Sequence, residues 1–133
     1  MPQNGQMQLQ FFHVKDLCKF IDSLLSIHPK QRIFNVGNKE TISIREWVEI
    51  CYRTVGKKVE FVSIYDGIEQ RNYFCFYNYE YCLDVSKQYH LISDTISLED
   101  VLCECFDWYK CHSDQVAKKA YIDYIDINFG CTK

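Results

Sequence analysis

The most constraining feature of this 133-residue chain is an alternation of short bulky runs with segments whose apolar residues recur every three or four positions. Leu9 to Val14 is the first run; it carries Phe11 and Phe12, reads as a strand and stops at Lys15-Asp16. Leu17, Phe20, Ile21, Leu24 and Leu25 then share one broad helical face. Asp16 is placed to cap that helix, because its carboxylate can accept from an amide that has no intrahelical partner. Pro29 lies beyond the end, where a helix does not continue readily. Arg32 to Val36 reads as a second strand, closed by Gly37-Asn38. Ser43 and Glu46 form a capping box, and Trp47, Ile50, Cys51, Thr54 and Val55 supply the face of a second helix that Gly56 terminates. Val59 to Ile64 reads as a third strand. Strand, helix, strand, helix, strand is the order produced by crossover connections on a sheet, so the expected class is α/β.

Periodicity weakens over Tyr65 to Phe76, which reads as a long loop. Tyr77, Tyr79, Tyr81 and Leu83 then alternate with Asn78, Glu80 and Cys82, the period-two pattern of a short edge strand. Asp84 is placed to cap a turn through Val85-Ser86-Lys87. Ser97 and Asp100 form a capping pair ahead of Leu98, Val101, Leu102, Cys105, Phe106 and Tyr109, the cleanest helical pattern in the chain. Ala117, Ala120, Tyr121, Tyr124 and Ile125 have helical spacing and are expected to form a last helix packed over the body. No internal repeat or domain boundary interrupts this series, so residues 1–133 read as a single domain.

Fifteen basic residues against 18 acidic ones leave a net charge of −3, which offers no global attraction for nucleic acid or an anionic membrane. No run of 18 apolar residues is present to span a bilayer. Met1-Pro2-Gln3-Asn4-Gly5-Gln6 lacks the basic and apolar blocks of a secretory signal, and a cytoplasmic address is expected. Of the eight cysteines, Cys18, Cys51 and Cys105 fall in apolar helical stripes and are expected to be reduced and buried, with a disulfide framework as the other reading. Cys103, Cys105, Cys111 and His112 invite a metal, but there is no C-x2-C pair, and helical residues two apart point away from each other. No metal ligand is assigned.

Missing motifs constrain the chemistry further. The five glycines are all isolated, so no G-x-G-x-x-G or P-loop can bring backbone amides to a phosphate. No lysine has a tyrosine four residues before it, and neither G-x-S-x-G nor H-E-x-x-H occurs. No catalytic residue is assigned.

Several segments nevertheless resemble the C-terminal half of the NAD-dependent epimerase/dehydratase family, the extended short-chain dehydrogenases. Phe11-Phe12-His13-Val14-Lys15-Asp16-Leu17 resembles its F-x-H-V-x-D-L junction, and Phe34-Asn35-Val36-Gly37 its Y/F-N-V-G. Ser43-Ile44-Arg45-Glu46 is similar to its S-x-x-E helix opening, and Tyr81-Cys82-Leu83-Asp84-Val85-Ser86-Lys87 to Y-x-L-D-x-S-K. Ser97-Leu98-Glu99-Asp100 through Trp108-Tyr109 resembles the closing S-L-E-E-G-L … W-Y helix. The resemblance spans about residues 8–110 and omits the family's N-terminal dinucleotide-binding half. It implies strands of a partial Rossmann-like sheet with flanking helices, plus the small substrate-binding lobe. It further implies the substrate-side portion of an NAD(P)-dependent sugar-nucleotide epimerase or dehydratase, inactive alone. NAD or NADP would belong to the intact enzyme, with no tight binding to this chain by itself. The implied partners are a nucleotide-sugar and an N-terminal Rossmann chain, with self-association where that chain is missing.

Arg71 can hold a phosphate or carboxylate bidentately, with Tyr73 and Phe74 stacking beside it; the alternatives are a solvated arginine and aromatics packed on a missing domain. His13, at a strand end, is a candidate substrate contact or a structural histidine. Asn35 is a candidate cofactor contact or a loop-bonding side chain. The family's usual phosphate-pairing arginine near the first strand is replaced by Gln8 and Gln10. Two other functions stay open: a binding module in which stacked aromatics hold single-stranded RNA, and a structural subunit that needs a partner chain.

Overall fold

The computed structural model describes residues 2–62, 79–80 and 82–129. Gln8–Leu9 (β1) and Ile42–Ser43 (β2) pair antiparallel, Gln8 opposite Ser43 and Leu9 opposite Ile42. The α-helices of the described residues are α1 (Val14–Ile27), α2 (Ile44–Thr54), α3 (Leu98–His112) and α4 (Ala120–Phe129). Single 3-10 turns lie at Pro2–Gly5, Gln88–His90 and Ser113–Gln115.

The helices start where local chemistry starts them. At α2 the Glu46 amide donates to Ser43 Oγ at 3.2 Å, and the Ser43 amide donates to Glu46 Oε2 at 3.0 Å, which closes the expected capping box. At α3 the Asp100 amide donates to Ser97 Oγ at 3.2 Å. Gly56 follows α2 at φ 69°, a left-handed conformation that suits a residue without Cβ. The N-cap of α1 differs from expectation. It is His13, whose side chain makes no capping bond, whereas Asp16 lies inside the first turn, fully buried. Its carboxylate accepts from the Ile96 amide at 2.9 Å and from Lys19 Nζ at 3.2 Å, tying α1 to the chain ahead of α3. The helix α4 starts at Ala120, leaving the expected Ala117 outside it, and buries none of its residues.

The α/β expectation is overturned. Of Leu9–Val14 only Leu9 lies in a strand, and Val14 already belongs to α1. Arg32–Val36 and residues 59–62 have no strand backbone, and Tyr77 and Tyr81 of the expected edge strand lie outside the described residues. The two-stranded pairing is antiparallel, so no partial Rossmann-like sheet with a substrate lobe is built from the described residues.

The physical reason is visible in the hydrogen bonds. A strand joins a sheet by giving its N–H and C=O groups to a neighbouring backbone. Just past Arg32–Val36, at Gly37 and Asn38, and at Leu83 of the expected edge strand, distant side-chain amides take those groups. Fully buried Gln88 accepts from the Gly37 amide at 2.8 Å and donates to the Gly37 carbonyl at 3.0 Å. Gln10 donates to the carbonyls of Asn38 at 2.8 Å and Leu83 at 3.2 Å, and accepts from the Leu83 amide at 2.8 Å. These clips join the segments around residues 10, 37 and 83, supported by one backbone bond from Asn38 N–H to Phe11 O at 2.8 Å.

The core beside them is small. Met7, Leu9 and Ile44 are buried, with Phe11, Trp47 and Val48 packed against them and the Phe11 and Trp47 rings 5.5 Å apart. Phe20 is buried separately and meets Phe34 edge-on at 5.4 Å.

Candidate interaction surface

Helix α1 has two apolar sides with different fates. Phe20 and Asp16 turn into the body. Val14 (64% exposed), Leu17, Cys18, Ile21 (46%) and Leu25 (66%) remain in the open. At 3.6 residues per turn these five positions fall within an arc of about 100°, a continuous stripe and not scattered exposure. The broad apolar face expected from spacing is therefore split: Phe20 packs inward while Leu17, Ile21 and Leu25 do not. Lys15 and Asp22 border the stripe on one edge, and half-buried Leu24 lies on the other with Leu17. Lys15 Nζ donates to Glu104 Oε2 of α3 at 2.7 Å, and this bond holds the Glu104 carboxyl below its usual range.

The thiols follow the same division. Cys18 and Cys105, expected to be buried, are exposed on their helices, and Cys51 is half-buried with its pKa raised by desolvation. Among the described cysteines, Cys18, Cys51, Cys82, Cys103, Cys105 and Cys111 are free. On α3 the Trp108 ring is half exposed and stacks on His112 with centroids 4.6 Å apart.

The residues singled out from sequence do not assemble into one site among the described residues. Arg71, Tyr73 and Phe74 lie outside them. His13 lines an apolar cavity of about 280 Å³ with Phe12, Trp47, Leu102 and Cys105. Its Nδ1 is closed off from water and has no hydrogen-bond partner. Asn35 donates to the Asp84 carbonyl at 3.0 Å and does not line that cavity. A wider cleft of about 700 Å³ lies along α2 and the start of α3, with Glu40, Glu46, Glu49 and Arg53 on its walls. Glu46 is engaged in the capping box and Arg53 pairs with Glu99 at 3.2 Å. Gln10 and Gln88, which clip the segments around residues 10, 37 and 83 together, carry no sequence signal that distinguishes them from surface glutamines.

The described residues form a mostly helical body, stitched by side-chain amides, with an apolar face of α1 left exposed. No family model, no curated protein and no solved structure matches the chain. The resemblance to the NAD-dependent epimerase/dehydratase family is contradicted by the antiparallel two-residue strands and the predominance of helix among the described residues. Two of the segments that carried it are local devices. Ser43 with Glu46 and Ser97 with Asp100 cap helices here, as such pairs do in any fold, and fix no strand order. The reading as the substrate-binding portion of an NAD(P)-dependent sugar-nucleotide enzyme falls with that fold. No helix among the described residues is long and apolar enough to cross a membrane.

Proposed function

We propose that this chain is an association module that works by laying the exposed face of α1 against another polypeptide. One observation carries the reading: Val14, Leu17, Cys18, Ile21 and Leu25 form a continuous apolar stripe in the open while the buried core among the described residues is small. Leaving such a stripe in water forfeits roughly 25 cal/mol for each Å² of apolar surface, and large exposed apolar patches are characteristic of interaction sites. A reducing cytoplasm suits the free thiols at Cys18, Cys103, Cys105 and Cys111.

The test is binding of an environment-sensitive apolar dye to the dilute, folded chain. Strong emission that falls in Ile21→Glu, with the far-ultraviolet circular dichroism unchanged, supports the reading. Absence of emission from the unaltered chain, or equal emission from the variant, refutes it.

A further inference from the structure

The stripe on α1 is self-complementary, and we propose that the chain pairs with a second copy of itself through α1, the two helices running antiparallel. This deepens the association reading and rests on it. Val14, Cys18, Ile21 and Leu25 are spaced four, three and four residues apart, the heptad spacing of a helix–helix seam. An antiparallel pair sets Val14 against Leu25 of the second copy and Cys18 against its Ile21, each contact occurring twice by the two-fold axis.

The edges of the stripe choose the orientation. One edge carries Leu17 and Leu24, the other Lys15 and Asp22. In an antiparallel pair like edges meet, so Leu17 faces Leu24 of the second copy and Lys15 faces its Asp22. In a parallel pair unlike edges meet. Lys15 and Asp22 would then lie against leucines, which desolvates two charges without giving either a counter-ion. Lys15 gives one bond to Glu104 within its own chain, and an ammonium has three donors, so it remains able to accept a second carboxylate. The seam covers about two heptads, near the small end of specific interfaces, which makes the dimer weak and concentration-dependent.

Sedimentation velocity of the full chain over about a hundredfold range of concentration reads the equilibrium by mass action. The expected result is a weight-average mass that climbs from one chain toward two. Ile21→Glu, at an exposed position, should raise the dissociation constant by about tenfold or more with helicity unchanged. Asp22→Lys, which sets like charges against each other across the two-fold, should also weaken the dimer, and less so at high salt. A mass that stays at one chain throughout overturns the proposal, as does an Asp22→Lys variant that dimerises like the unaltered chain. A monomer whose dye emission still falls in Ile21→Glu overturns the homodimer and leaves the association reading standing. A monomer without dye response overturns both.

Discussion

Replacing Gln88 by methionine isolates the contribution of the amide clip to the fold. Methionine is unbranched and close in length to glutamine, so the substitution keeps most of the volume and leaves little cavity. What it removes is specific: the 2.8 Å bond from the Gly37 amide and the 3.0 Å bond to the Gly37 carbonyl, both in a buried setting. Each backbone group left without a partner costs about 1–3 kcal/mol, so the pair costs about 2–6 kcal/mol. That is a large fraction of the roughly 5–15 kcal/mol that holds a domain folded. With a urea dependence of about 1.5 kcal/mol per molar, a loss of about 3 kcal/mol lowers the unfolding midpoint by about 2 M. Equilibrium urea unfolding followed by circular dichroism measures it directly. A shift below about 0.5 M would mean that Gly37 finds its partners elsewhere and that the Gln88 clip does not hold this part of the fold together.

Other consequences are narrower. Ser43→Ala removes the capping oxygen of α2 and should cost about 1 kcal/mol in the same unfolding assay, with no change in the oligomer equilibrium. Gly56→Ala meets no atom within 4 Å, so its cost of about 1 kcal/mol comes from holding a Cβ-bearing residue at φ 69°; a larger loss would point to packing instead. The Glu46 carboxyl is held below the ordinary range, first by the Ser43 side chain and then by its backbone amide. A carboxyl whose folded pKa is lowered stabilises the fold above its unfolded value of about 4.3 and loses that contribution as pH falls through the folded value. Glu46→Gln should therefore flatten the acid limb of the stability–pH curve between about pH 5 and 3, and an unchanged limb would refute the assignment.

What was legible in the sequence was local. Ser43 with Glu46, Ser97 with Asp100, and Gly56 act within a few residues, and the structure uses each as its spacing suggested. Helix α1 was legible as a helix, but its periodicity shows only that a face is apolar and not which part a neighbour covers; Phe20 went inward while Ile21 and Leu25 stayed out. Strand order was not legible. Bulky residues at Phe11, Phe12, Ile33 and Phe34 have the right propensity, yet propensity assigns no backbone partner. The side-chain amides of Gln10 and Gln88 took backbone groups of Gly37, Asn38 and Leu83 instead, Gln88 lying 51 residues from the glycine it holds. Asp16 shows the same limit: its type and position suit a cap, and only the placement of Ile96 reveals that it serves as a buried tether.

Alkylation of Cys18 tests the association through α1 most directly, because that thiol lies in the exposed stripe itself. Brief maleimide labelling, read peptide by peptide in a mass spectrometer, should show Cys18 becoming slower to react as protein concentration rises. Cys103 and Cys111, exposed on α3, should react at a constant rate and serve as internal controls. A Cys18 rate that does not change with concentration would contradict the proposed pairing of two copies.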